Sequence, residues 1–144
     1  MMLTQRNFLV IKLTLIINIF LVCSLVNAQT IQDFYNLLPA YKKASEKLTI
    51  ARLSQIPSEI AYWEEQYKFY KKRVENIIDK YEQAAMSNPQ AYCLTALELY
   101  DKYFQVDQAY VEDELPDDYI FRSGNLSTYC ARFDIYYKRP EPRM

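Results

Sequence analysis

The sequence predicts an all-α fold, an up-and-down bundle of three long helices with a short fourth helix tied back by a disulfide. Three observations lead there. The 144-residue chain contains one glycine, and tight hairpin turns draw on glycine or Asn-Gly, so a sheet is poorly supplied. Apolar residues from Ile60 to Ala84 recur at alternating spacings of three and four, a heptad seam. Prolines mark most of the junctions between periodic segments, at Pro57, Pro89 and Pro116.

The first segment is set apart from the bundle. Arg6 and Lys12 precede an apolar run from Leu13 to Val22, and a more polar tail ends Val26-Asn27-Ala28. This order of basic, apolar and small-residue parts is that of a cleavable secretory signal covering residues 1–28, cut after Ala28. Membrane anchoring is the competing reading, but Lys12 and Asn18 leave the uninterrupted apolar part short of the roughly 20 residues a spanning helix needs. Cys23 lacks the small residue before it that lipoprotein processing prefers. The expected mature protein is a single helical domain over residues 29–137, followed by a flexible tail over 138–144.

Thr30 followed by Asp33 resembles a capping box, and the apolar stripe Ile31, Phe34, Leu37, Leu38, Tyr41, Ala44, Leu48 and Ala51 follows it. Pro39 falls inside that stripe and is expected to kink or split the helix. The second helix carries the seam Ile60, Trp63, Tyr67, Tyr70, Val74, Ile77, Tyr81 and Ala84, with charged residues between. It is expected from Ser58, as N-cap, to Ala85, about 40 Å at 1.5 Å per residue. Lys71, Lys72 and Arg73 belong to its solvated face. Asn88-Pro89 ends it and starts a third helix running towards Val111.

An acidic loop from Glu112 to Gly124 then leads into the last segment. From Leu126 to Tyr137 the apolar residues fit one helical face and also alternate as in a strand. The lack of strands to pair with favours the short helix.

Cys93 and Cys130 are the two cysteines outside the signal, and in an oxidising compartment such a pair forms a disulfide. Closing a loop of about 37 residues contributes roughly 4 kcal/mol in the chain-entropy description. Asn125-Leu126-Ser127 is a sequon beside Gly124, read as an exposed turn, which makes Asn125 the candidate N-glycosylation acceptor if the host is a eukaryote.

The chain has no histidine, which excludes Ser-His and Cys-His nucleophile pairs and imidazole zinc sites. The expectation is therefore a non-catalytic protein with no cofactor and no metal. A net charge of −1 provides no basic excess for nucleic acid or an anionic membrane. The acidic cluster from Glu112 to Asp118 lacks the ligand pattern of an EF-hand, so it reads as a solvated loop rather than a calcium site.

The mature part holds all 14 tyrosines and Trp63, more aromatic surface than a slender three-helix core readily hides. Trp63, Tyr67, Tyr70 and Phe104 are the candidate residues for a protein interface or a ligand-lined interior. The leading expectation is a small secreted effector or salivary-type factor that acts on a protein partner. A carrier of a lipid or other apolar small molecule ranks second, and a carboxylate-based hydrolase third. If the source is bacterial, the compartment becomes the periplasm.

Overall fold

A computed structural model describes residues 31–110 and 117–141. The expected signal and its cleavage site, the Thr30 cap, Val111 and most of the acidic cluster lie outside the described residues. The chain falls into two units, Met1–Phe34 and Tyr35–Met144. Of the first, residues 31–34 are described and are helical; the bundle and its core belong to the second.

Four helices are described, and no strand among the described residues. Residues 31–54 form α1, followed by α2 (Pro57–Ser87), α3 (Pro89–Tyr110) and α4 (Asp117–Ala131). The all-α bundle of three long helices and a shorter fourth is as expected. Tyr41 of α1 stacks on both Tyr67 of α2 and Tyr103 of α3, at 5.5 and 6.0 Å between ring centroids. Tyr119 of α4 lies 5.5 Å from Tyr103, so tyrosines from all four helices meet in one core. Val74, Ile78, Leu99 and Leu126 are buried with them.

Several expectations need correction. Pro39 does not break α1, which is helical without interruption on both sides of it. Pro39 is exposed, while Tyr41, Ala44, Leu48 and Ala51 stay buried in register, so burial of the stripe outweighs the roughly 3 kcal/mol a proline costs inside a helix. Ser58 is not the N-cap of α2. Ile56 occupies that position with an extended backbone and no side-chain cap, and Pro57 opens the helix, where its missing N–H has no partner to lose. Asn88 does act as expected: it ends α2, with its N–H donating to the Ala84 carbonyl, and its Oδ1 accepts from the Ala91 N–H at 3.3 Å to start α3.

The largest correction concerns the C-terminal quarter. The fourth element is a helix, but it begins at Asp117 and ends at Ala131, so it takes in more than half of the expected acidic loop and stops well before Tyr137. Residues 132–134 turn, and 135–141 have no regular structure. Gly124 is therefore not in a turn; it sits inside α4. Among the described residues, the backbone positions with left-handed φ are Gln55 (55°), just after α1, and Asp134 (58°), in the turn after α4. The glycine and the left-handed turns lie in different places.

The disulfide forms between Cys93 and Cys130, with Cα atoms 6.0 Å apart. It fixes the end of α4 beside the start of α3, and Tyr119 near the start of α4 packs against Tyr100 and Tyr103 further along α3. The two helices are thus antiparallel.

Candidate functional site

The four aromatic candidates are not brought together. Tyr67 is 1% exposed and belongs to the core stack, with its hydroxyl 3.3 Å from the Lys71 ammonium, which donates to it. Trp63, Tyr70 and Phe104 are half-buried. Trp63 meets Tyr62 edge to face at 5.0 Å, and Tyr70 meets Phe69 likewise at 5.2 Å. Phe104 faces elsewhere, packing on Tyr100 and Tyr103.

The more exposed aromatics are the neighbours of the expected ones. Tyr62 and Phe69 are 54% and 50% exposed and stand seven residues apart, on one stripe of α2. The Arg73 guanidinium lies 5.2 Å from the Phe69 ring centre, in cation–π range. Lys68, Lys72 and Lys80 are also exposed on α2. At the α1–α2 turn, Ile50, Leu53 and Ile56 are exposed as well. A count of seam positions selects the buried side of a helix, so it passes over residues one position off it.

A polar cluster joins α4 to α2 and α3. Arg122 donates from Nη2 to Asp79 Oδ1 at 2.7 Å and from Nε to Glu82 Oε2 at 3.1 Å. Its guanidinium also lies 4.6 Å from the Tyr119 ring centre. The hydroxyl of Tyr119 donates to Asp79 at 2.9 Å, and that of Tyr100 to Glu82 at 2.8 Å. Burial and then these hydrogen bonds hold both tyrosines protonated well above the ordinary phenol range. For Arg122, burial works against the charge, but the bonds to Glu82 and Asp79 outweigh it and raise its pKa. Every group here has an opposite charge or a hydrogen-bond partner, as a structural anchor requires. Asp79 and Glu82 stand three residues apart on α2, on either side of the seam residue Tyr81, and nothing in that spacing distinguishes them from the charges of the solvated face.

A cavity of about 280 Å³ opens between α3 and α4. Leu97, Asp101 and Phe104 of α3 form one wall, and Ser123 and Ser127 of α4 another. Tyr137 and Arg139, from the irregular C-terminal segment, complete it. Tyr137 donates its hydroxyl to Asp101 Oδ2 at 3.0 Å, and Arg139 donates from Nε to Oδ1 at 2.8 Å. Burial, then the bond to Asp101, pushes the Tyr137 phenol up to about 12. Arg139 lies in the expected flexible tail, and this ion pair ties it to α3. Of the sequence candidates, only Phe104 reaches the cavity.

Asn125 is exposed, but its sequon lies within α4, and the middle residue, Leu126, is fully buried. The exposed turn that favoured glycosylation is absent at this position. Among the described residues, no group of three or more His, Cys, Asp or Glu side chains could hold a metal ion. No described helix is long and apolar enough to cross a membrane. Compared with known protein families, curated proteins and solved structures, the chain matches none of them.

Proposed function

We propose that this chain is an exported helical protein that acts by binding another protein, without catalysis, through the outer face of α2. Export rests on the signal pattern at the N-terminus and is in keeping with a disulfide between the two remaining cysteines.

The observation that carries the binding reading is the pairing of Tyr62 and Phe69, both half exposed a heptad apart. Aromatic side chains in such positions are typical anchors of protein interfaces. Lys72 and Arg73 beside Phe69, with Glu59 and Glu65 beside Tyr62, give the face a rim of both signs, so the partner's chemistry is an apolar surface edged by carboxylates at one end and by basic groups at the other. Arg73 already stacks on Phe69, which holds the ring in place and lowers the entropy lost on docking.

The carrier reading draws less support. Tyr67, expected to line a ligand space, is packed between neighbouring rings, and the cavity at α3 has a carboxylate and a guanidinium in its wall, which suit a lipid poorly.

The test is affinity capture with the wild-type chain beside Tyr62→Ala/Phe69→Ala. Each substitution removes a half-exposed ring with one edge-to-face contact and is expected to cost about 1 kcal/mol of stability, which leaves the chain folded. The wild type should retain a protein that the folded double variant loses. Identical retention by both, or none by either, would sink the proposal.

A further inference from the structure

The cavity between α3 and α4 combines a largely enclosed anion with a cation on an irregular, exposed segment. Asp101 has a side chain 11% exposed, whereas that of its partner Arg139 is 58% exposed. Asp101 accepts four hydrogen bonds: two from Arg139, one from the Tyr137 hydroxyl and one from Gln105 Nε2. A carboxylate this enclosed needs a positive partner, because burying the charge alone is strongly unfavourable.

That partner is not carried by the bundle. It stands on residues 135–141, which have no regular structure, and a mostly exposed guanidinium can exchange with solvent at little desolvation cost. Arg139 and Tyr137 also leave the adjoining space unfilled, with the apolar side chains of Leu97 and Phe104 on one side and the hydroxyls of Ser123 and Ser127 on the other. At about 280 Å³ it lies just below the roughly 300 Å³ where pockets for drug-sized ligands begin.

The geometry points to a binding site for a small organic cation, an ammonium or guanidinium group on an aromatic or short aliphatic body, which Arg139 occupies in cis. The charged end of the ligand replaces the Arg139 guanidinium on Asp101. Its apolar body lies against Leu97 and Phe104, and the serine hydroxyls accept or donate the remaining hydrogen bonds. The C-terminal segment then acts as a tethered competitor. A competitor that leaves the site open one-tenth of the time weakens the apparent affinity of a free ligand about tenfold.

Benzylamine, a cation at neutral pH with an aromatic body, is the probe, and benzyl alcohol is its neutral counterpart. Both are titrated into the full chain while the methyl resonances of Leu97 are followed by NMR. Arg139→Ala should bind benzylamine about tenfold more tightly than wild type, and benzyl alcohol should bind neither form measurably. Asp101→Asn in the Arg139→Ala background should abolish benzylamine binding.

Arg139→Ala binding no more tightly than wild type would show that the ion pair merely ties down the tail, and would overturn the site. Equal binding of the neutral alcohol, or binding that survives loss of the Asp101 charge, would overturn the role of the carboxylate. If Asp101→Asn does not fold, comparison of the amine and the alcohol on Arg139→Ala decides the question alone.

Discussion

The two ends of α2 follow one heptad pattern but have different surroundings. Towards its C-terminus Val74, Ile77, Ile78, Tyr81 and Ala85 are buried; in its first ten residues none is. The cause lies in the partners. α4 has 15 residues against 31 in α2, about 22 Å against 46 Å at 1.5 Å per residue. Its end is fixed beside the start of α3 by Cys93–Cys130. The helix that packs along α2 is α3, which turns back from Asn88 and has 22 residues, about 33 Å; the still shorter α4, held there, adds cover only over the C-terminal half of α2. A seam therefore shows which side of a helix is apolar, and the lengths and anchors of its neighbours decide how far along that side is covered.

Removing the anchor is expected to have the largest effect. Cys93→Ser/Cys130→Ser should lose about 4 kcal/mol of stability, measured by urea denaturation. Hydrogen exchange should then rise in α4 and in the C-terminal half of α2 before the rest; uniform acceleration would contradict the covering role given to α4. Next in size is a contrast within α2 itself. Ile78→Ala should cost about 3 kcal/mol, because Ile78 is fully buried, whereas Ile60→Ala, at the sparsely covered end, should cost about 1 kcal/mol or less. Equal losses would erase the distinction between the two ends.

A smaller loss is expected in alkali. Tyr35 and Tyr137 are both pushed up from 10.0 to about 12, by burial first and then by hydrogen bonds to Glu98 and Asp101. Tyr100 and Tyr119 are raised further by the same causes; below pH 10 all four are protonated folded or unfolded, so their contribution is complete. Between pH 10 and 12 the unfolded chain gives up these protons first, and stability falls as pH rises. Thermal melting across that window should show the decline, and Tyr35→Phe and Tyr137→Phe should each reduce it. Smallest is a gain. Gly124 is helical, and a Cβ there would meet nothing within 4 Å, so Gly124→Ala should stabilise the chain by about 0.5–1 kcal/mol. A loss would mean that the position is not the open helical site described.

Much of the bundle was legible because helix period and chain punctuation are local. Asn88-Pro89 marked the junction of α2 and α3 correctly, since a capping amide and an N-terminal proline act within one turn. The seam of α2 was right in its middle and drifted at the end, where Ala85 is buried in place of Ala84. A straight helix turns about 20° per heptad against a strict seven-residue repeat. The limits of α4 could not be read in this way. A cluster of carboxylates looks like a loop in sequence, and Asp118 becomes part of a helix because Tyr119 and Arg122 find partners on α2 and α3 and Leu126 is buried.

The same division holds for function. Histidine content, the pairing of two cysteines and the helical character of the chain were determined by the sequence alone, because each depends on composition or on neighbours a few residues away. Tertiary structure decided the rest. It placed Tyr67 in the core and left Tyr62 and Phe69 outside, and it joined Arg122 to Asp79 and Glu82. It also brought Arg139 to Asp101, 38 residues earlier in the chain. Such pairings depend on how helices of unequal length lie side by side, and the periodicity of any one helix carries no information about its neighbours.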